Sequence, residues 1–216
     1  MSDLIVAIDG PAGAGKSSVA RLVAARLRLP HLDTGGFYRA ATLLALRRQL
    51  DLADPAAIVA ALDDVSISSR GGLTTIDSDV VEAAIRERDV TAAVSQVSAH
   101  ADVRKLLVDS QRSWVAEQSG SAVVEGRDIG TVVFPDARVK IFLTADEEER
   151  ARRRARERGE DPSAHLSAIR RRDAIDGSRT ASPMTVAADA VMVDTTDMAI
   201  GAVVDSIVSL AEGFQT

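Results

Sequence analysis

The chain has 216 residues, 46% of them hydrophobic, and a mean hydropathy near zero, which suits one sizeable core with a small satellite domain and excludes disorder over most of its length. It carries 26 basic and 32 acidic residues, a net charge of −6, and no cysteine, which excludes disulfides, thiolate catalysis and cysteine-based zinc sites. With His31, His100 and His165 as its three histidines, any metal is expected on oxygen ligands, and the absence of a membrane-length apolar run or basic leader gives the expectation of a soluble, cytoplasmic protein.

In chain order, Leu4–Ile8 reads as a short buried strand and Gly10–Gly15 as a glycine-rich turn. A helix follows from near Lys16, with Val19, Leu22, Val23 and Leu27 on one face. Phe37–Leu50 reads as a second helix, and Asp54-Pro55 restarts a short one through Leu62. From Val65 to Val81 the pattern becomes a β-hairpin about Gly71-Gly72, a small inserted β unit. Ala101–Glu117 sets Val103, Leu106, Leu107, Ser110 and Trp114 on one helical stripe, which makes the tryptophan a core residue. Ala122–Val124 and Val139–Leu143 read as buried strands of a parallel sheet with helices between strands. Thr144-Ala-Asp-Glu147 has the spacing of a capping box, and Asp146–Arg150, Glu148–Arg152 and Glu149–Arg153 stand at i,i+4 on the helix it opens. Gly159–Ser163 breaks that helix, another begins near Ala164, Ala190–Val193 is the last strand, and a closing helix runs from about Met198 to Leu210.

Charge is unevenly spread. Residues 150–179 hold ten arginines against five acids, so a segment of +5 is set on a body of −11. A local segment, not the whole surface, is built to meet anions, and the acidic body argues against a nucleic-acid partner.

The strongest motif is Gly10-Pro11-Ala12-Gly13-Ala14-Gly15-Lys16-Ser17, a match to G-x-x-x-x-G-K-S between a strand and a helix. Its glycines allow consecutive N–H groups to converge on phosphate oxygens at a helix N-terminus. Lys16 places an ammonium at the β- and γ-phosphates, and the Ser17 hydroxyl is a ligand for Mg²⁺. The chain has 23 arginines and three lysines, so a lysine at the one position where this loop demands it is not compositional drift. The loop identifies a P-loop nucleoside triphosphate site and leaves open a kinase, a switch or a nucleic-acid-bound ATPase. Two further clusters bear on that choice: the polar exit of the strand at Val124-Glu125-Gly126-Arg127-Asp128, and Arg170-Arg171-Arg172-Asp173 with Asp176 and Arg179 in the basic segment.

Together with LDTGGFYR, SQVSAHADVR, VVEGRDIGTVVFPDARVKIFLTA, RRRDAIDGSRTASP and AADAVMVDTT, in that order, these elements make the chain similar to the bacterial cytidylate kinase family over essentially its whole length. The resemblance implies an α/β P-loop fold, adenylate-kinase-like, with a parallel sheet flanked by helices. It implies a core of residues 1–50, 91–149 and 181–216, a β insert in the monophosphate-binding region at 51–90, and a helical lid at 150–180. It further implies Mg²⁺-dependent transfer of the ATP γ-phosphoryl group to CMP or dCMP by a monomer. ATP would be held by residues 10–17, Ser18, Arg150 and Arg154. CMP would be held by Thr34, Arg39, Ser95, Arg104, Arg127, Asp128, Arg172, Asp176 and Arg179. Lys16, Arg127, Arg172 and Arg179 would serve the transferring phosphate, while Asp33 and Glu125 would hold the cation through water. Thr34 stands where many members have serine, and Glu125 where some have aspartate. Other small-molecule P-loop kinases, of the adenylate, UMP or shikimate type, share the loop and the arginines, and a regulatory ATPase shares the loop alone.

Overall fold

The computed structural model describes residues 3–159, 161–179 and 182–213, so that Thr180 and Ala181 of the RRRDAIDGSRTASP block lie outside the described residues. The chain opens with strand β1 (Ile5–Asp9), turns through Gly10–Gly15 and enters helix α1 (Lys16–Leu27). Strand β2 (His31–Asp33) runs directly into α2 (Thr34–Arg47), and α3 (Pro55–Asp63) follows. Three short strands, β3 (Ile67–Arg70), β4 (Leu73–Ile76) and β5 (Asp79–Val80), precede a 3₁₀ turn at Ala84–Arg86, α4 (Arg88–Val97) and α5 (Ala101–Glu117). Strand β6 (Ala122–Glu125) leads into a π-helical turn at Ile129–Val133. The remainder is β7 (Val139–Thr144), α6 (Glu147–Arg158), α7 (Pro162–Ser178), β8 (Val191–Asp194) and α8 (Ile200–Glu212).

The chain divides into two units, Met1–His31 with Ser121–Thr216, and Leu32–Gly120. In the first, β6, β1, β7 and β8 are parallel neighbours in a five-stranded sheet, and β2, which opens at His31, is its other edge. The central strands are apolar without alternation because both faces are covered. Val6, Ile8, Val123, Ile141 and Leu143 form one core with Val19, Ala20 and Val23 of α1 and Val203, Val204 and Ile207 of α8. Truncating one of the largest, Leu143 or Ile207, costs about 2–5 kcal/mol. The register pairs Ile8 with Glu125 and Asp9 with Phe142, so β1 and β6 end together where the glycine loop leaves the sheet. A second cluster, Ala12, Ala151, Ile169 and Leu166, seats α6 and α7 beside that loop.

The second unit has an antiparallel sheet of order β3-β4-β5 with α2, α3, α4 and α5. Ile67 pairs with Ile76 across the expected hairpin, and β5 adds a third strand that alternation over two residues is too short to signal. Trp114 is buried as expected, and its indole N–H donates to Ser69 O at 2.8 Å. The buried face of α5 also takes in Arg104 and Gln111, which the apolar stripe did not include.

Several local expectations are corrected. Helix α2 begins at Thr34, a turn before Phe37, because Gly35 and Gly36 are accommodated in its first turn; the three residues before it are strand β2. The capping box does not form: Thr144 stays in β7, where its carbonyl accepts the Thr195 N–H, and Asp146 takes the N-cap place without a side-chain cap. Arg150 does not pair with Asp146; its ion pair is with Asp173, on the neighbouring helix. Helix α7 begins at Pro162, capped by Asp161, rather than near Ala164. Helix α4 and the π-helical turn carry no counterpart in the sequence reading.

Candidate active site

In the first unit the glycine loop is shaped by contacts that leave no room for side chains. Gly10 has φ +146°, and a Cβ there would stand 2.1 Å from Leu143 O; Gly13 has φ +78°, and its Cβ would meet Arg150 O at 2.9 Å. Gly15 caps α1 in the left-handed region, presenting the helix N-terminus to the loop. The Lys16 ammonium is turned inward, donating to Gly10 O at 2.7 Å and Pro11 O at 2.8 Å. Burial first, then the positive charges of Arg127, Arg172 and Arg154, push it well below the usual lysine range, while Glu125 pulls the other way. Four cationic groups in one small volume are arranged for a polyanion.

Beside the loop, Glu125 ends β6 and is 2% exposed. Its Oε2 accepts the Ser17 hydroxyl at 2.8 Å, and its Oε1 lies 2.9 Å from His31 Nε2. Two residues beyond the end of β6, Arg127 donates to Gly10 O at 2.6 Å and pairs through Nε with Asp176 at 3.3 Å. Asp176, on helix α7, is 1% exposed and gathers three arginines: Arg127, Arg172 at 3.9 Å, and Arg179. A buried carboxylate with this set of partners holds the arginines in place before any ligand arrives.

Two more carboxylates fix backbone. Asp9 accepts the N–H groups of Ile129 and Gly130, each at 2.8 Å, and so pins the π-helical turn that follows the buried Asp128. Burial pushes the Asp9 carboxyl up to about 6; the two amides and Lys16 oppose the rise, and Asp128 adds to it. Asp173 accepts the Ala12 N–H at 3.2 Å and pairs with Arg150, which itself donates to Ala12 O at 3.0 Å and Ala145 O at 3.0 Å. Arg150 is thus committed to the loop's frame. Arg153, read in the sequence only as a surface partner of Glu149, keeps that pair at 3.2 Å but also donates to Thr195 Oγ1 and Thr195 O.

Arg153 and Thr195 border a cavity of about 590 Å³ in the same unit, lined also by Ser18, Val19, Met198 and Ile200. It opens against Gly13–Gly15, so a group attached to phosphates on the loop has a recess of mixed polar and apolar lining beside it. Ser18 belongs to this recess.

The remaining expected residues lie in the second unit. Thr34 opens α2 and is buried, and Asp33 before it pairs with Arg86 at 3.4 Å. Arg39 donates to Ile85 O at 3.1 Å and Thr91 Oγ1 at 3.0 Å. Arg104 is 3% exposed, donates to Ser98 O at 3.2 Å and lies over the Tyr38 ring, 5.0 Å from its centroid. Ser95 is half-buried on α4, one turn before the Ser98 hydroxyl that donates to its carbonyl. Asp9 and His31 were not among the expected site residues, Arg153 was read only as a partner of Glu149, and Asp173 only as part of its arginine cluster. Asp9 gave a usable signal, an acid ending a buried strand immediately before the loop; the others depend on tertiary neighbours.

The cytidylate kinase family model matches residues 6–213. A curated cytidylate kinase of Mycobacterium leprae is 49% identical, covering 98% of this chain and 97% of its own. One of Rhodococcus opacus is 50% identical, over 94% and 92%. Solved structures similar in fold include an uncharacterised protein of Eubacterium ventriosum, TM-score 0.55 at 14% identity over 98% of this chain and 99% of that one, and a sugar kinase of Janibacter, TM-score 0.53 at 13% identity over 97% and 94%. The chain belongs to the cytidylate kinase family.

Proposed function

We propose that this chain is an ATP-dependent cytidylate kinase, transferring the γ-phosphoryl group of ATP to CMP or dCMP and releasing ADP. The observation that carries the reading is the phosphate loop with Lys16 turned into it and Arg127, Arg172 and Arg179 gathered on Asp176, in a chain of this family.

A triphosphate offers Lys16 phosphate oxygens in exchange for the Gly10 and Pro11 carbonyls, and the recess beside Ser18 and Thr195 takes the donor nucleoside. We assign to CMP the residues Thr34, Arg39, Ser95 and Arg104 of the second unit, and Arg127, Asp128, Arg172, Asp176 and Arg179 of the first. Cytosine presents an amino donor beside ring acceptors, which suits a hydroxyl or carboxylate together with a guanidinium. An acceptor phosphate oxygen forms the new bond to the γ-phosphorus as the bond to the β–γ bridging oxygen breaks, its electron pair leaving with ADP. The acceptor, with a second pKa near 6, is largely a dianion at neutral pH, so no general base is required. Catalysis rests on positioning and on arginine charge set against the charge that spreads over the phosphoryl oxygens.

The oxygens of Ser17 and Glu125, 2.8 Å apart, are the hard donors that suit Mg²⁺, which is usually held by one or two protein oxygens together with substrate phosphates. Bound there, the cation neutralises charge on the β- and γ-phosphates. We assign Ser17 to direct contact, and Glu125 and Asp33 to contact through water. Among the described residues no helix is long and apolar enough to cross a membrane, and we take the enzyme to act as a cytoplasmic monomer.

A coupled assay of ADP release with CMP, dCMP, UMP, AMP and shikimate, each supplied alone, tests the reading. CMP and dCMP are expected to sustain turnover well above the rest. ATP hydrolysis with none of the acceptors consumed would refute it.

A further inference from the structure

His31 has no place in the chemistry described so far, yet it contacts Glu125, the carboxylate that accepts the Ser17 hydroxyl. It opens β2, which neighbours β6 in the sheet; Val123 of β6 donates its N–H to Pro30 O at 2.9 Å, just before His31. That pairing brings the imidazole alongside Glu125, with Nε2 2.9 Å from Oε1 and the ring only 10% exposed. The partner is a carboxylate, so Nε2 carries the hydrogen and donates.

Glu125 is therefore gripped on both oxygens, by Ser17 on Oε2 and by His31 on Oε1. A carboxylate held at one oxygen still swings about its terminal torsion, which has broad wells, whereas one held at both is fixed in plane and direction. The consequence passes to Ser17. When its hydroxyl hydrogen is committed to Oε2, its lone pairs face away from Glu125 and toward the loop, the orientation that a cation on the phosphates requires. Without the His31 donor, Oε1 loses that grip and the hold of Glu125 on the hydroxyl loosens.

We propose that His31 is a positioning residue: through Glu125 it orients the Ser17 hydroxyl and so sets the affinity of the loop for nucleotide-bound Mg²⁺. The proposal rests on the reading that Ser17 meets that cation. His31 does not touch the reacting atoms, and it is not a member of the recess or of the arginine cluster.

The test compares wild type, His31→Leu, which lacks the donor, and His31→Gln, whose side-chain amide supplies an N–H at similar reach. Calorimetry measures binding of a β,γ-methylene ATP analogue with Mg²⁺ and with EDTA, and steady-state kinetics give the Mg²⁺ half-saturation and the KM for CMP. Partners that orient a metal ligand are typically worth about 10-fold or more in metal affinity. His31→Leu is accordingly expected to lose about 10-fold of the Mg²⁺-dependent gain in analogue affinity, to bind as wild type in EDTA, and to keep its KM for CMP. His31→Gln is expected to recover most of the gain. In a Ser17→Ala background, His31→Leu is expected to add nothing. An undiminished Mg²⁺ gain in His31→Leu, or an equal loss in EDTA, overturns the proposal alone. Wild-type protein that binds the analogue equally well with and without Mg²⁺ overturns the cation reading and the proposal with it.

Discussion

The arginines assigned to the acceptor in the two units are held by different contacts. In the first, Arg127, Arg172 and Arg179 converge on the buried Asp176, and Arg150 on Asp173, so the cations are gathered and partly neutralised by carboxylates of α7. In the second, Arg39 and Arg104 rest on backbone carbonyls, a threonine hydroxyl and the face of Tyr38. Carboxylates keep several like charges together; carbonyls and an aromatic face aim one guanidinium in one direction. The first arrangement suits a transferring phosphoryl group, where summed charge matters. The second suits recognition, where direction matters. Substitution of Lys16, Arg172 or Arg179 should therefore slow every acceptor alike, and substitution of Arg104 should change which acceptor is used.

The largest effect is expected from Lys16→Ala, which removes the ammonium inside the loop. We expect kcat to fall by at least about 10³-fold with CMP and with UMP alike, with the circular dichroism spectrum unchanged. Next, Arg172→Ala and Arg179→Ala should each lower kcat by about 10²–10³-fold, again without changing the CMP-to-UMP ratio. Wild-type turnover in either variant would break the assignment of Asp176 as the hub of a catalytic cluster.

Asp9 tests the scaffold of the first unit through stability. Its carboxyl titrates at about 6 in the fold against an ordinary 3.8, so the unfolded chain releases that proton first as pH rises. The stability it contributes is full below about pH 4 and is lost as pH rises to about 6, by on the order of 3 kcal/mol. Urea denaturation across that window should show the decline in wild type and a flatter profile in Asp9→Asn. The smallest effect is assigned to the second unit: Arg104→Gln should change kcat for the best acceptor little while reducing the CMP-to-UMP preference in kcat/KM by about 30-fold. A uniform loss on both acceptors would erase the contrast between the units.

The same contrast governs what the amino-acid pattern revealed. The phosphate loop, the apolar strands around it and the arginine-rich segment are local: glycine spacing, runs such as Leu4–Ile8 and charge density each have a short-range cause. The network that joins them is not local. Asp173 reaches Ala12 across 161 residues, and Arg153 leaves its helix face to hold Thr195. Helical periodicity assigned Arg150 to Asp146 because a neighbour one turn away was the only partner visible, and the packing of α6 against α7 supplied a better one. His31 illustrates the limit, since a histidine opening a three-residue strand has no signature until the sheet sets it beside Glu125. In the second unit, burial of Arg104 on an apolar helix face was likewise set by Tyr38, a residue of another helix.

The most direct measurement of the central claim is an acceptor competition: wild-type protein with Mg²⁺, limiting ATP and equimolar CMP, dCMP, UMP and AMP, the nucleoside diphosphates resolved by chromatography. The account predicts that CDP and dCDP appear in place of UDP, and that the ADP formed matches them one for one. ADP released without CDP, or UDP formed as fast as CDP, would contradict it.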